Sequence, residues 1–389
     1  MGELPDQASG NISKVRVVRL IARMNVGGPA VEIAALASRL PKDKFEHTLI
    51  TGYCDDSEID FIDLHQIDCQ VARVEGLGRS INLLNDLKVF FKVRLLLKEK
   101  SPHILHTHTF KAGLIGRLAA LSIRHQPKLV HTYHGHLLQG YLSRVKLILL
   151  TIVERTLANY SDSLISVGIK VRDDLLARGI GPKSKFTVIL PGFDINDKES
   201  LDSGETDISW DTNQFKCAWV GRVVDIKRPE RIVEIARVIK DSQLDIGLFV
   251  VGGGPLLEAT KSNCVIESLP VTFLGWQKNV YSILKKVDLL ILTSENEGTP
   301  ISIIEAQRLG KPVVVTDVGS VKEVMIHGKS GFAIDYDAEE FVENISYLSK
   351  NPEIYNQFSE FAFEFSNTLF SADRFVKEHV HLYEKLVNP

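Results

Sequence analysis

Short apolar strands alternate with helical stretches of roughly ten to eighteen residues, and the alternation runs twice. The first run opens with a strand, KVRVVRLIARM at 14–24, then a glycine turn at Asn25–Pro29 and a helical segment, AVEIAALASRL. Strand EHTLITGY, helix 81–98, strand HILHTHT, helix GLIGRLAALS and strand KLVHTYH follow in turn. Near-continuous apolar strands separated by helices specify βαβ units and a parallel sheet. The pattern stops at 191–214, PGFDINDKESLDSGETDISWDTNQ, a polar, acidic, turn-rich stretch that reads as an interdomain linker. It then restarts with strand FKCAWVG, helix RPERIVEIARVIK and strands LDIGLFVVGGG, PVTFLGW, DLLILTS and KPVVVTD. The expected fold is α/β, two Rossmann-like doubly wound domains facing across a cleft. The first spans 1–195 and the second 196–370, a division that suits 389 residues. No short repeat points to a solenoid.

Composition removes several other classes. With 44% apolar and 24% charged residues, the chain has material for two cores. A net charge of −3 supplies no global positive field, so no nucleic-acid partner is expected. Four cysteines, Cys54, Cys69, Cys217 and Cys264, stand far apart and read as buried thiols rather than a disulfide framework or zinc ribbon. The polar opening MGELPDQASGNISK lacks the apolar core of a signal peptide, and no apolar run approaches a membrane span. A soluble, cytoplasmic protein is expected. Charge is uneven: residues 1–198 carry 27 basic and 20 acidic side chains, a net of +7, and the remainder nets −10. Ordinary surface variation is one reading. The other is that the first half faces something anionic, such as the inner face of a membrane.

The strongest candidate motif is LLILTSENEGTPISIIEAQRLGKPVVVTDVGS. A buried strand runs into Ser294–Gly298, with Thr299 suited to cap the next helix and Pro300 to its first position. Gly310 closes that helix. Gly298 admits a ligand close to the backbone, and the helix start offers N–H groups and a dipole to phosphate. Glu297 and Glu305, with seven residues between them, can contact two parts of one ligand. In WVGRVVDIKRPER, Gly221 ends a strand and Arg222 and Lys227 follow it, two cations suited to a diphosphate. Taken singly, either cation is more simply a solvated surface residue. The run Gly252-Gly253-Gly254 admits a phosphate or forms a tight turn. Gly27-Gly28 precedes the first helix and offers backbone N–H groups.

Six histidines form a cluster, His103, His106, His108, His131, His134 and His136; all but His103 lie in the stretches HTH and HTYHGH, which end predicted strands. Zinc binding is the minor reading, because no carboxylate or cysteine nearby completes a ligand set. Structural packing is the simpler one, with His134 first among those placed to reach the cleft. The apolar stripes on 81–98 and 145–157 are most simply core faces. The first also carries Lys88, Lys92, Arg94 and Lys98, so an interfacial role is its second reading.

Taken together these stretches resemble the family 4 retaining glycosyltransferases, over nearly the whole chain. Glu297 and Glu305 match the family's glutamate pair, and Gly221, Arg222 and Lys227 match its G-R-x4-K element. Gly27-Gly28 match its glycine loop. The block HTHTFKAGLIGRLAA with HTYHGHLLQGYLS is similar to members that build bacterial surface glycans. Two positions depart from the common pattern: Gly298-Thr299-Pro300 stands for Gly-Phe-Pro, and Gly252-Gly253-Gly254-Pro255 for Gly-Asp-Gly-Pro.

The resemblance implies the GT-B fold, a helix at about 371–389 crossing back onto the first domain, and retaining transfer from a nucleotide-diphosphate sugar, UDP-linked first, to a glycan or lipid-linked acceptor. It implies that the second domain holds the donor. Arg222 and Lys227 would hold the diphosphate with N–H groups at Thr299–Ile301, Glu305 the ribose, and Glu297 the sugar. Gly275 and Trp276 would lie near the base, and His134 near sugar and acceptor. No metal or other cofactor is expected, since no DxD pair stands at a predicted strand end. Peripheral membrane contact would run through the first domain. A nucleotide-sugar epimerase on the same fold and a silent nucleotide-sugar-binding protein are the alternative readings.

Overall fold

A computed structural model describes residues 14–55, 58–78, 82–135, 144–193 and 214–388. Its first sheet contains β1 (Val15–Ile21), β2 (Phe45–Thr51), β3 (Gln70–Arg73), β4 (Ile104–His108), β5 (Lys128–Tyr133), β6 (Ser163–Ser166) and β7 (Phe186–Val188). These are arranged β3-β2-β1-β4-β5-β6-β7, every neighbouring pair parallel. The second contains β8 (Phe215–Val220), β9 (Ile246–Val251), β10 (Val271–Gly275), β11 (Leu289–Leu292), β12 (Val313–Thr316) and β13 (Gly331–Ile334). Its order is β10-β9-β8-β11-β12-β13, also all parallel. Both are doubly wound. The order reverses beside β1 in one sheet and beside β8 in the other, and at such reversals two strand ends splay apart and leave a crevice.

The central strands are apolar throughout because both faces are covered. β9 and β11 are buried at every position, with Ile246–Val251 and Leu289–Leu292 inside two separate core clusters. Strands β3, β6, β7 and β13 were not legible in the alternation. β3 and β7 are short edge strands with half-buried side chains, and such strands carry little periodic signal. The expected division at 195/196 falls within residues 194–213, outside the described residues.

The helix Ala372–Val387 packs on the first sheet: Phe375, Val376, Leu382 and Tyr383 cluster with Val17, Leu36 and Phe45. Arg374 fixes its approach by donating to the carbonyls of Leu190 and Pro191 at 2.7 and 2.8 Å. The four cysteines are free thiols, but Cys54 and Cys69 are only half-buried, a correction to the expectation.

Two helices also depart from the simplest reading of their stripes. On α3 (Leu83–Lys100) the core-facing residues are Val89, Val93 and Leu97, while Leu83, Leu84, Leu87, Phe91 and Leu95 are exposed. On α5 (Arg144–Tyr160), Val145, Ile148, Leu149 and Ile152 are exposed. A helix that is apolar on opposite sides shows no clean 3.6-residue contrast, so its outward stripe was read as core.

Candidate active site

The carboxyl ends of the two sheets meet. A Cβ placed on Gly28 would stand 3.0 Å from Ile301 Cγ1, and one on Gly298 would stand 2.8 Å from both Gly135 Cα and the His134 carbonyl oxygen. Two glycine-bearing loops thus let the halves approach at backbone distance.

On the second sheet, β8 leads into Gly221, whose N–H donates to Val251 O at 3.0 Å. Val223 N–H donates to Gly253 O at 2.9 Å. A Cβ at Gly252 would lie 1.9 Å from Gly221 O, and one at Gly254 2.4 Å from Val223 O. The glycine run therefore seats the β9 end against the Arg222 loop, which explains it without a ligand. Lys227 ends a short 3₁₀ turn, Asp225–Lys227. Its carbonyl accepts from Thr293 Oγ1 at 3.0 Å, and Thr293 Oγ1 in turn accepts from Trp219 Nε1 at 3.0 Å. Glu295 N–H donates to Ile226 O at 2.9 Å. So anchored, Lys227 Nζ donates to Glu297 Oε1 at 2.5 Å, and Ser294 Oγ donates to the same oxygen at 2.5 Å. Cation and carboxylate are both largely buried, at the carboxyl ends of adjacent strands β8 and β11.

The helix after Gly298 runs Ile301–Arg308. Pro300 is its N-cap rather than its first helical residue, with φ −74° and ψ 104°. Thr299 does not cap it: its hydroxyl donates instead to Val167 O at 2.8 Å, on the other half of the molecule. Gly310 takes φ +68° just past the helix, as its sequence position suggests. Glu305 lies one turn into this helix, and burial pushes its carboxyl up to about 7. Tyr281 stands beside it. Burial first, and then the Glu305 charge, raise the Tyr281 phenol well above its ordinary value. The buried Tyr281 hydroxyl makes no hydrogen bond among the described residues. Gly275 takes φ +64°, and Trp276 is exposed at the end of β10.

On the first sheet, Gly27 precedes helix α1 (Gly28–Arg39) as its N-cap residue. His134 follows β5. Its Nε2 is hydrogen-bonded to His108 Nδ1 at 2.9 Å, and its Nδ1 faces Glu32 Oε2 at 3.6 Å. Behind them His106 bonds Tyr383 OH and Thr132 Oγ1 at 2.6 and 2.7 Å, and His131 Nδ1 bonds Thr107 Oγ1 at 2.8 Å. Burial lowers His106, His108 and His131 well below the ordinary imidazole value, so all three are neutral packing groups. His103 lies apart, its Nδ1 accepting from Arg16 N at 2.9 Å, and His136 lies outside the described residues. Among the described residues no three His, Cys, Asp or Glu side chains are grouped to hold a metal ion.

Arg222 and Lys227 do not share a partner. Arg222 Nη1 reaches across the cleft to within 3.8 Å of Glu58 Oε1, and the same carboxylate receives Arg23 Nη2 at 2.8 Å. Glu323 spans the halves as well, accepting from the N–H groups of Ile169 and Lys170 at 2.5 and 2.7 Å. That caps helix α6 (Ile169–Ala177), whose own N-cap, Gly168, has no side chain to do so. Glu32, Glu58, Tyr281 and Glu323 were not singled out in the sequence. Their partners lie tens to hundreds of residues away, and no local pattern marks them. Gly135 was not singled out either, although it stands between two histidines of HTYHGH.

The family model described as Glycosyltransferase Family 4 matches residues 26–197, and that described as Glycosyl transferases group 1 matches 205–365. An Escherichia coli UDP-Gal:alpha-D-GlcNAc-diphosphoundecaprenol alpha-1,3-galactosyltransferase is 28% identical over 78% of this chain and 80% of its own. The capsular polysaccharide biosynthesis glycosyltransferase CapM of Staphylococcus aureus is 26% identical over 70% and 74%. Among solved structures, HepE of Anabaena, crystallised with UDP and glucose, superposes with a TM-score of 0.78 at 18% identity, covering 95% of this chain and all of that one. The architecture is therefore the GT-B fold, and the two family models follow one another along most of the sequence. The chain belongs to the family 4 glycosyltransferases.

Proposed function

We propose that this glycosyltransferase moves a sugar, with retention and without a metal ion, from a nucleotide-diphosphate sugar to a lipid-linked glycan acceptor in surface-polysaccharide assembly. The observation that carries the reading is the anchored Lys227 beside Glu297, at the reversal of strand order and next to the N-terminus of helix Ile301–Arg308. Transfer breaks the bond between the anomeric carbon and the diphosphate oxygen, and negative charge builds on the departing diphosphate. A fixed ammonium and unpaired N–H groups at a helix start stabilise that charge where it develops, with little reorganisation. Arg222 supplies the second cation. The acceptor hydroxyl forms the new bond on the same face of the sugar and gives its proton to the leaving phosphate oxygen, so no protein nucleophile is required. Glu297 then serves the sugar hydroxyls, Glu305 the ribose, Gly275–Trp276 the base and His134 the sugar and acceptor side.

The donor and acceptor classes draw support from the relatives. The E. coli enzyme's name gives a UDP-sugar donor and a diphosphoundecaprenol-linked acceptor, and the HepE crystal contains UDP. The E. coli enzyme and CapM are both named as glycosyltransferases, which weighs against the epimerase and silent-binder alternatives. The test is to incubate the protein with a panel of UDP-, GDP-, ADP- and TDP-sugars and a diphosphoundecaprenol-linked acceptor in excess EDTA. Retention appears as an α-anomeric product from an α-donor by NMR. An inverted product, a strict metal requirement, or altered sugar released without acceptor would each overturn the corresponding part.

A further inference from the structure

We propose that Glu32 is a positioning residue of the transfer site: it receives the Nδ1–H of His134 and thereby holds the His134–Gly135 segment against the second half of the molecule. Glu32 is one of the buried residues of α1, with Ala30, Ile33 and Leu36, and is 5% exposed. A carboxylate so far from water is costly unless something compensates it. Among the described residues no lysine or arginine pairs with it, and no group donates a hydrogen bond to its side chain. What faces it is His134 Nδ1, 3.6 Å from Oε2. That nitrogen is itself buried and makes no hydrogen bond among the described residues. Two orphaned polar groups thus face each other at about half an ångström more than a hydrogen bond spans.

The proton positions follow from the neighbours. His134 Nε2 is hydrogen-bonded to His108 Nδ1 at 2.9 Å, so one of these nitrogens carries the proton and the other accepts it. Burial keeps His108 neutral, so it holds a single ring proton. Its other nitrogen, Nε2, is buried and has no hydrogen-bond partner among the described residues. His131 does not serve it. Alternation along β5 turns that ring toward helix α4 (Phe110–Leu121), where a Cβ on Gly113 would stand 2.5 Å from His131 Cε1. If His134 donated to His108, His108 would carry its proton on Nε2, a buried N–H with nothing to accept it. His134 would then turn a lone pair toward a carboxylate. If His108 donates instead, its Nε2 is a bare acceptor, and His134 carries its proton on Nδ1, aimed at Glu32. Orphaned buried N–H groups are rarer than under-used acceptors, and an N–H beside an anion is attracted where a lone pair is repelled. Both ends of the histidine pair select the second arrangement.

Glu32 is placed to carry this order into the cleft. Gly28, about one helical turn before it on α1, is where the first half meets the start of helix Ile301–Arg308: a Cβ there would stand 3.0 Å from Ile301 Cγ1. His134 leads into Gly135, which lies against Gly298, the residue after Glu297. The Glu32–His134 pair therefore ties together two of the first-half segments that touch the second half, the start of α1 and the chain leaving β5. Its purpose rests on the reading that places His134 on the sugar and acceptor side, although the position of the proton needs neither donor nor turnover.

The full-length protein, labelled with nitrogen-15 in its histidine rings, is read by long-range proton–nitrogen correlation at about pH 8, with His134 assigned by its loss in His134→Gln. The wild type is expected to show a protonated Nδ1 and a bare Nε2 on His134. A protonated Nε2, alone or together with Nδ1, would overturn the proposal. Glu32→Leu removes the acceptor and keeps an apolar fit. It is expected to give a mixture of tautomers and a kcat for transfer about tenfold lower, while the donor KM and the UDP affinity by calorimetry stay at wild-type values. Glu32→Gln keeps an acceptor oxygen and is expected to restore the Nδ1 proton and to bring kcat within about twofold of wild type. A packing role would leave Glu32→Leu at least as active as Glu32→Gln, and that result would overturn the proposal, as would a wild-type tautomer in Glu32→Leu. Should Glu32→Leu not fold, the wild-type tautomer and Glu32→Gln decide. Wild-type protein that neither binds UDP nor turns over would fault the donor reading, and the His134 spectrum, recorded without ligand, would still decide where the proton sits.

Discussion

Lys227 and Glu305 show how much one side chain's surroundings decide. Lys227 is held at three points: its carbonyl by Thr293, its turn by Glu295 N–H, and its ammonium by Glu297. An ammonium fixed before the reaction stabilises a leaving diphosphate more than a mobile one can. Lys227→Ala and Arg222→Ala are therefore each expected to cut turnover by about a hundredfold or more while leaving the fold intact by circular dichroism. Near-normal turnover in both would remove the diphosphate site. Glu305 makes a different prediction. Its carboxyl titrates at about 7 in the folded protein against 4.5 when unperturbed, so the folded state binds the proton more tightly. Stability attributable to this group falls as pH rises between those two values and is lowest above the upper one. Glu305→Gln should thus melt with the parent near pH 4 and exceed it at pH 8, by up to about 3 kcal/mol. If Glu305 serves the ribose as proposed, nucleotide affinity should fall, measured by calorimetry at the same pH, because the amide offers one acceptor oxygen where the carboxylate offers two. A variant that shows no pH-dependent gain would mean the carboxyl is not desolvated.

At the scale of elements, the glycines are the parts most tightly bound to their positions. Gly252 takes φ +138° with Gly221 O where a Cβ would go. Gly252→Ala strains its own backbone and pushes the Arg222 loop, so a loss of about 2 kcal/mol or more is expected in urea denaturation. An unchanged midpoint would contradict the packing role. Such a loop could be found in the sequence as a glycine run, but whether it served a phosphate or a turn could not, because the deciding atoms belong to Gly221 and Val223 in the loop after another strand. The same boundary recurs elsewhere. β9 and β11 were legible because burial on both faces leaves unbroken apolar runs. β3 and β7 were not, since an edge strand buries too little to impose a pattern. Thr299 had the composition of a cap, and lost that role to a carbonyl on the far side of the cleft. The outward stripe of α3 was visible as apolar residues, but which face met the core depended on α4 and the sheet.

Over the whole molecule, the site exists only where two independently wound halves meet. The sequence motifs lie on one half or the other. What joins them is a set of cross-cleft contacts: Gly298 on Gly135, Thr299 on Val167, Arg222 near Glu58, and Glu323 on the start of α6. Glu323→Ala removes a carboxylate from a helix N-terminus and should loosen that junction without unfolding either half. The expected result is a larger radius of gyration by solution scattering and a higher KM for the donor, with the melting temperature within a few degrees of the parent. An unchanged radius would place closure in the other contacts. The donor site proposed above holds a diphosphate by protein cations at the reversal of strand order in the second sheet. The most direct test is titration calorimetry of UDP into wild-type protein and into Lys227→Ala, both in EDTA. Saturable binding by the wild type, weakened at least tenfold in the variant, is predicted. Binding that needs a divalent metal, or that is indifferent to Lys227, would contradict the account.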